Sequence, residues 1–91
     1  MKKEVGSVIK KLRKEKQLKQ QYVAFKLGIT TEAYANIENG RTDINTSKLR
    51  MISSILNTKA SLIIAFAEEQ LSNISDMRKV LLILTITLIY F

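Results

Sequence analysis

One glycine divides the most constraining stretch of this chain. Between Gln20 and Asn39 two short helical patterns meet at Gly28, and no proline interrupts either of them. Tyr22, Val23, Ala24 and Leu27 mark the first pattern, over residues 20–27. Ala33, Tyr34 and Ile37, three and four apart, mark the second, over residues 31–39. Gly28 suits the left-handed residue that ends a helix, because that conformation costs glycine nothing. Thr30 suits the N-cap of the helix that follows. Two helices this close must share a core, for which Val23, Leu27, Ile29, Tyr34 and Ile37 are available. Ala24 is small where the helices approach.

The rest of the chain extends this all-α reading. Val5, Val8, Ile9 and Leu12 follow helical spacing with lysines on the other face, predicting a helix over residues 3–16. Asn45 can cap a helix over residues 46–57, with Leu49, Ile52, Ile55 and Leu56 inward. A fifth helix is expected over residues 60–73, packing through Leu62, Ile63 and Phe66. The expectation is a compact bundle of five helices over residues 1–73, followed by an apolar C-terminal tail over 74–91.

Composition narrows the function. The chain has 91 residues, no cysteine and no histidine. Thiolate and imidazole chemistry are therefore closed to it, and no carboxylate pair sits in a catalytic frame. An enzyme is not expected, nor a metal or other cofactor. The net charge is +7, and all of the excess lies in residues 1–50, which hold twelve Lys/Arg against five Asp/Glu. A charge of this kind points to a polyanionic partner, nucleic acid or a membrane surface. Two short helices joined at a glycine turn form a helix-turn-helix, and the second helix leaves Thr31, Glu32, Ala35, Asn36 and Asn39 facing outward. Short polar side chains on a helix are what a major groove admits to its base edges. The same corner also occurs in proteins that never meet DNA.

The tail is different. Ten of the twelve residues from Val80 to Phe91 are apolar. As a helix the run is about 18 Å long, short of the roughly 30 Å of a bilayer core, and Arg78 and Lys79 precede it directly. Self-association is the favoured reading, by a helix or by a β-branched strand that pairs between subunits. Membrane contact through residues 80–91 is the lesser one. No signal-peptide pattern opens the sequence, so a cytoplasmic location is expected.

Taken together, residues 5–64 resemble the phage-repressor/Cro-type helix-turn-helix family, often called XRE. The blocks that carry the resemblance are Ile9-Lys10-Lys11-Leu12-Arg13, Gln20-Gln21-Tyr22-Val23-Ala24, Leu27-Gly28-Ile29-Thr30 and Ile37-Glu38-Asn39-Gly40-Arg41, followed by Leu49, Ile52, Ile55 and Leu56. The resemblance implies a lambda-repressor-like fold that binds double-stranded operator DNA as a homodimer, usually to repress transcription. It places Thr31, Glu32 and Asn36 at base-reading positions. It gives Gln20, Thr30, Asn39, Arg41 and Thr42 to the DNA backbone, and Lys10, Lys14 and Lys19 to longer-range attraction. It also implies that Arg13 and Glu38 form a largely buried, structural ion pair.

The chain departs from the family in four places. Ala35 stands where Ser is frequent, and Lys19 where Ser or Thr usually caps the second helix. Glu32 brings a negative charge to the groove-facing surface. Ser53 replaces a common Ala in the fourth helix and is expected to be tolerated. The rival reading, from another class, is a protein-interaction module such as an antitoxin or a membrane-associated regulator built on the same fold. It leaves the charge of residues 1–50 without a purpose.

Overall fold

A computed structural model describes residues 1–71, 84, 85 and 87–89 of the chain. Five helices follow one another: α1 (Lys2–Glu15), α2 (Gln20–Leu27), α3 (Thr31–Glu38), α4 (Thr46–Ile55) and α5 (Ala60–Leu71). Residues 84, 85 and 87–89 are also helical, and no strand occurs among the described residues. The expected domain boundary at 73/74, the Arg78-Lys79 flank and the start of the apolar run lie outside the described residues. No single helix among the described residues is long and apolar enough to cross a membrane.

One apolar core unites all five helices. Val5, Val8 and Ile9 come from α1, Val23 and Ala24 from α2, and Tyr34 and Ile37 from α3. Leu49 and Ile52 of α4, Leu56 just beyond it, and Ile63 and Ala67 of α5 complete it. Each buried Val, Leu or Ile contributes about 1.5–3 kcal/mol through removal of its surface from water. Leu12, Leu27, Ile29 and Ile55 pack against this core from half-buried positions.

The helix ends follow local chemistry. Thr30 Oγ1 accepts from the Ala33 N–H at 3.0 Å and so caps α3. Asn45 Oδ1 accepts from the Lys48 N–H at 2.7 Å and caps α4. Gly28 ends α2 at φ 71°, ψ 29°, and the Ile29 N–H then reaches back to the Ala24 carbonyl at 3.1 Å. A Cβ at Gly28 would meet no other atom within 4 Å, so only the left-handed backbone asks for glycine there. Lys19 precedes α2 and makes no side-chain cap. Ser53 is buried, and its hydroxyl donates to the Arg50 carbonyl at 2.8 Å, as a helical serine can without a further partner.

Two features differ from the sequence expectation. Leu62 and Phe66 do not pack inward; they are 45% and 42% exposed. Ile63 and Ala67 form the inner face of α5 instead. The sequence of α5 is apolar almost all round, so its periodicity cannot choose a face. The choice is made by the packing of α5 against α1 and α4, in which Ile63 and Ala67 are fully buried. Tyr22 marks α2 but stays 46% exposed, with Lys26 Nζ 5.7 Å from its ring centre.

Gly6 is the position that sequence periodicity overlooked. It lies inside α1 and is buried, and a Cβ there would come within 3.0 Å of the Ile37 and Glu38 carbonyl oxygens at the end of α3. Both obstacles are backbone atoms, so nothing can rotate away. Ala is the better helix former by about 1 kcal/mol, yet Gly6→Ala is expected to lower the melting temperature, because overpacking costs about 1–3 kcal/mol or more. Lys19→Ser should act in the opposite direction. A side-chain cap is worth about 1 kcal/mol, which corresponds to a rise of about 4–8 °C in a thermal melt of a domain this size.

Candidate nucleic-acid interface

The end of α1, the start of α2 and the end of α3 meet at one buried carboxylate. Glu38, the last residue of α3, is 3% exposed. Arg13 Nε donates to its Oε2 at 2.6 Å and Arg13 Nη2 to its Oε1 at 3.1 Å. This two-point fork fixes orientation as well as distance. Arg13 Nη1 donates to the Leu18 carbonyl at 2.7 Å, in the loop between α1 and α2. Gln20 Nε2, on the first residue of α2, donates to Glu38 Oε1 at 2.9 Å. The Tyr34 hydroxyl is buried with no well-formed hydrogen bond among the described residues. Burial, and then the neighbouring Glu38, raise its pKa well above the ordinary phenol value.

Burial alone would raise the pKa of Glu38. The hydrogen bonds from Arg13 and Gln20 outweigh it, and Glu38 titrates below its ordinary value of 4.5. Arg13 is shifted up, first through its hydrogen bond to Glu38. Both groups are therefore charged at neutral pH, and each is the partner that makes the other's burial tolerable.

This knot holds α3 so that one face looks outward. Thr31 and Glu32 are exposed in its first turn, and Asn36 is half-buried one turn from Glu32. Ala35 is half-buried between them, and Asn39 is exposed at the end. Thr30 lies beside this face; its oxygen is used as the cap, which leaves its O–H to donate. Arg41 and Thr42 are exposed in the loop after α3. Of the basic residues weighed for attraction, Lys14 and Lys19 are exposed and Lys10 is half-buried. Gln20 does open α2, but one of its two amide hydrogens is committed to Glu38, so at most the other is available to a ligand. No sequence pattern signalled that tie, because it depends on where α3 ends in space.

Residues 9–63 match the helix-turn-helix family HTH_3. The chain belongs to the helix-turn-helix family. A curated relative, the ImmF control region 10 kDa protein of Bacillus phage phi105, is 42% identical over 55 residues, which span 60% of this chain. The match covers 61% of that relative's length. Family and relative together place the chain with the phage repressor/Cro type. Two crystal structures of the clp gene regulator ClgR from Corynebacterium glutamicum share the fold. One superposes with a TM-score of 0.78 over 94% of this chain and 92% of that one, at 13% identity. The other gives 0.73 over 76% and 90%, at 14% identity.

Removing either member of the buried pair strands a charge in the core, at a cost of about 3–5 kcal/mol. Arg13→Ala and Glu38→Ala are each expected to lower the melting temperature by about 15 °C or more. A near-normal melt of either variant would refute the structural role. Acid should act on the same group. The folded pKa of Glu38 is depressed, so its contribution is complete above pH 4.5 and is lost as pH falls through the folded value. Thermal melts should therefore weaken below about pH 4.5, and Glu38→Gln should flatten that dependence.

Proposed function

We propose that this protein is a DNA-binding transcriptional regulator that inserts α3 into the major groove. The observation that carries the reading is the outward face of α3, with Thr31, Glu32 and Asn39 exposed and Asn36 half-buried, on a helix locked at its far end by Glu38. Asn36 is the residue to read adenine by a pair of hydrogen bonds, and Glu32 to accept from cytosine N4. Thr31 completes the base-reading set. Gln20, Thr30, Asn39, Arg41 and Thr42 are assigned to the sugar–phosphate backbone, where they set register and carry no sequence information. Gln20 would serve twice, giving one amide hydrogen to Glu38 and the other to a phosphate beside the start of α2.

The net charge of +7 supports a phosphate-rich partner. Two copies related by a two-fold axis would set their α3 helices about 34 Å apart on a near-palindrome. Repression by occlusion of polymerase is the mode such binding produces most directly, and the site of action is the cytoplasm, with the DNA. The reading needs no cofactor.

The test is selection of bound duplexes from a randomised pool with the full chain. A two-fold symmetric motif is the expected result. Binding should weaken steeply with salt, with a log–log slope of about −0.9 for each phosphate neutralised. Asn36→Ala should cost about 1–3 kcal/mol and relax specificity at one base pair, while Arg41→Ala should weaken all sequences alike. Recovery of no motif by a folded protein would reject the reading and favour a protein-interaction module.

A further inference from the structure

Two glycines bring α1 and the end of α3 into backbone contact, and the second lies among residues assigned above to DNA. Gly6 admits the Ile37 and Glu38 carbonyls to the surface of α1. One turn earlier on the same face of α1 stands Lys3. Its backbone fills the space where a side chain at residue 40 would lie. A Cβ on Gly40 would come within 2.5 Å of the Lys3 Cα and 3.1 Å of the Lys3 nitrogen. Gly40 also has φ 72°, so glycine is required there both for its backbone angle and for the close approach.

The contact carries a charge to a particular place. Gly40 is flanked by Asn39 and Arg41, both exposed and both assigned to the sugar–phosphate backbone. The Lys3 Cα lies within about 8 Å of the Arg41 Cα, one residue beyond the contact. Both side chains are exposed, and their long stems let the two cationic ends reach one phosphate or two neighbouring ones.

No acid claims either cation among the described residues. On a helix Lys3 faces the residues three and four further on, and these are Gly6 and Ser7. Glu4 pairs with the Met1 ammonium at 3.2 Å. Asp43, in the same loop as Arg41, forms an ion pair with neither Lys3 nor Arg41. Two like charges held side by side repel each other, and an anion between them removes that cost. No spacing rule links residues so far apart in the chain.

We propose that Lys3 binds a DNA phosphate beside the one held by Arg41, so that α1 joins the backbone-contacting surface across Gly40. The assignment rests on the DNA-binding reading above. It extends the phosphate contacts to a helix that lies outside the helix-turn-helix itself. Lys3 carries no sequence information, since a phosphate is the same at every base pair.

The test compares salt dependence on the duplex recovered by selection. The full chain, Lys3→Ala, Lys3→Arg and Lys59→Ala are titrated with that duplex, and with one of scrambled sequence, at several potassium chloride concentrations. Lys59→Ala removes the same charge from the exposed turn before α5, where no residue is assigned to DNA. Lys3→Ala should bind both duplexes several-fold more weakly, with their affinity ratio unchanged. Its log–log slope should be shallower by about 0.9. Lys3→Arg and Lys59→Ala should keep the slope of the unmodified chain. The Lys3 side chain is exposed and alanine favours a helix, so the melting temperature should not fall. Three results would overturn the proposal. An unchanged slope for Lys3→Ala, while the unmodified chain still recovers a motif, would remove Lys3 from the interface and leave the DNA reading standing. An equal loss of slope in Lys59→Ala would make the effect one of net charge. Absence of DNA binding by the folded, unmodified chain would take down both readings together.

Discussion

The structure depends on the placement of one negative charge at the end of α3. Glu38 is inside the protein, and a carboxylate survives there only if every exposed lone pair finds a donor. Arg13 supplies two donors and Gln20 a third. Those donors come from the end of α1 and the beginning of α2. Satisfying one carboxylate therefore fixes three chain segments relative to each other, and Arg13's remaining contact with the Leu18 carbonyl adds the loop between them. Apolar packing alone would tolerate small rotations of these helices. A two-point ion pair does not, since its geometry fails within a few tenths of an ångström.

Gly6 and the buried pair act on α3 from two sides. The glycine lets α1 sit directly on the carbonyls of Ile37 and Glu38. The ion pair then draws the Glu38 side chain toward the far end of the same helix α1. One contact is steric and the other electrostatic, and together they leave the opposite end of α3, with Thr31 and Glu32, free of obstruction. A helix held by its C-terminal end and bare at its N-terminal turn is suited to enter a groove.

Much of this was legible in the residues. Gly28, Thr30 and Asn45 are local signals, because a left-handed cap or a side-chain cap is decided by one or two residues acting on their neighbours. The helix positions followed from them and from apolar spacing. What escaped are the features in which distant segments decide. The inward face of α5 could not be read because Leu62, Ile63 and Phe66 are equally apolar, and only packing against the rest of the bundle distinguishes them. Gly6 left a faint signal, a glycine inside an otherwise favourable helix, whose cause lies thirty residues along the chain. Gln20 carried none, since its tie to Glu38 exists only in three dimensions. At the candidate interface, the exposed row on α3 could be anticipated from periodicity, while its rigidity could not.

Lys19 leaves the first turn of α2 without a side-chain acceptor, and no acidic residue stands in that turn. The free protein therefore begins its motif helix with first-turn amides that no side chain caps. In the bound state proposed above, a phosphate oxygen would occupy the position that serine or threonine holds in other capped helices. The missing cap would then arrive with the partner. Folding and binding would compete for the same amides: a residue that finished the helix from within would steady the free domain and blunt its appetite for an external anion.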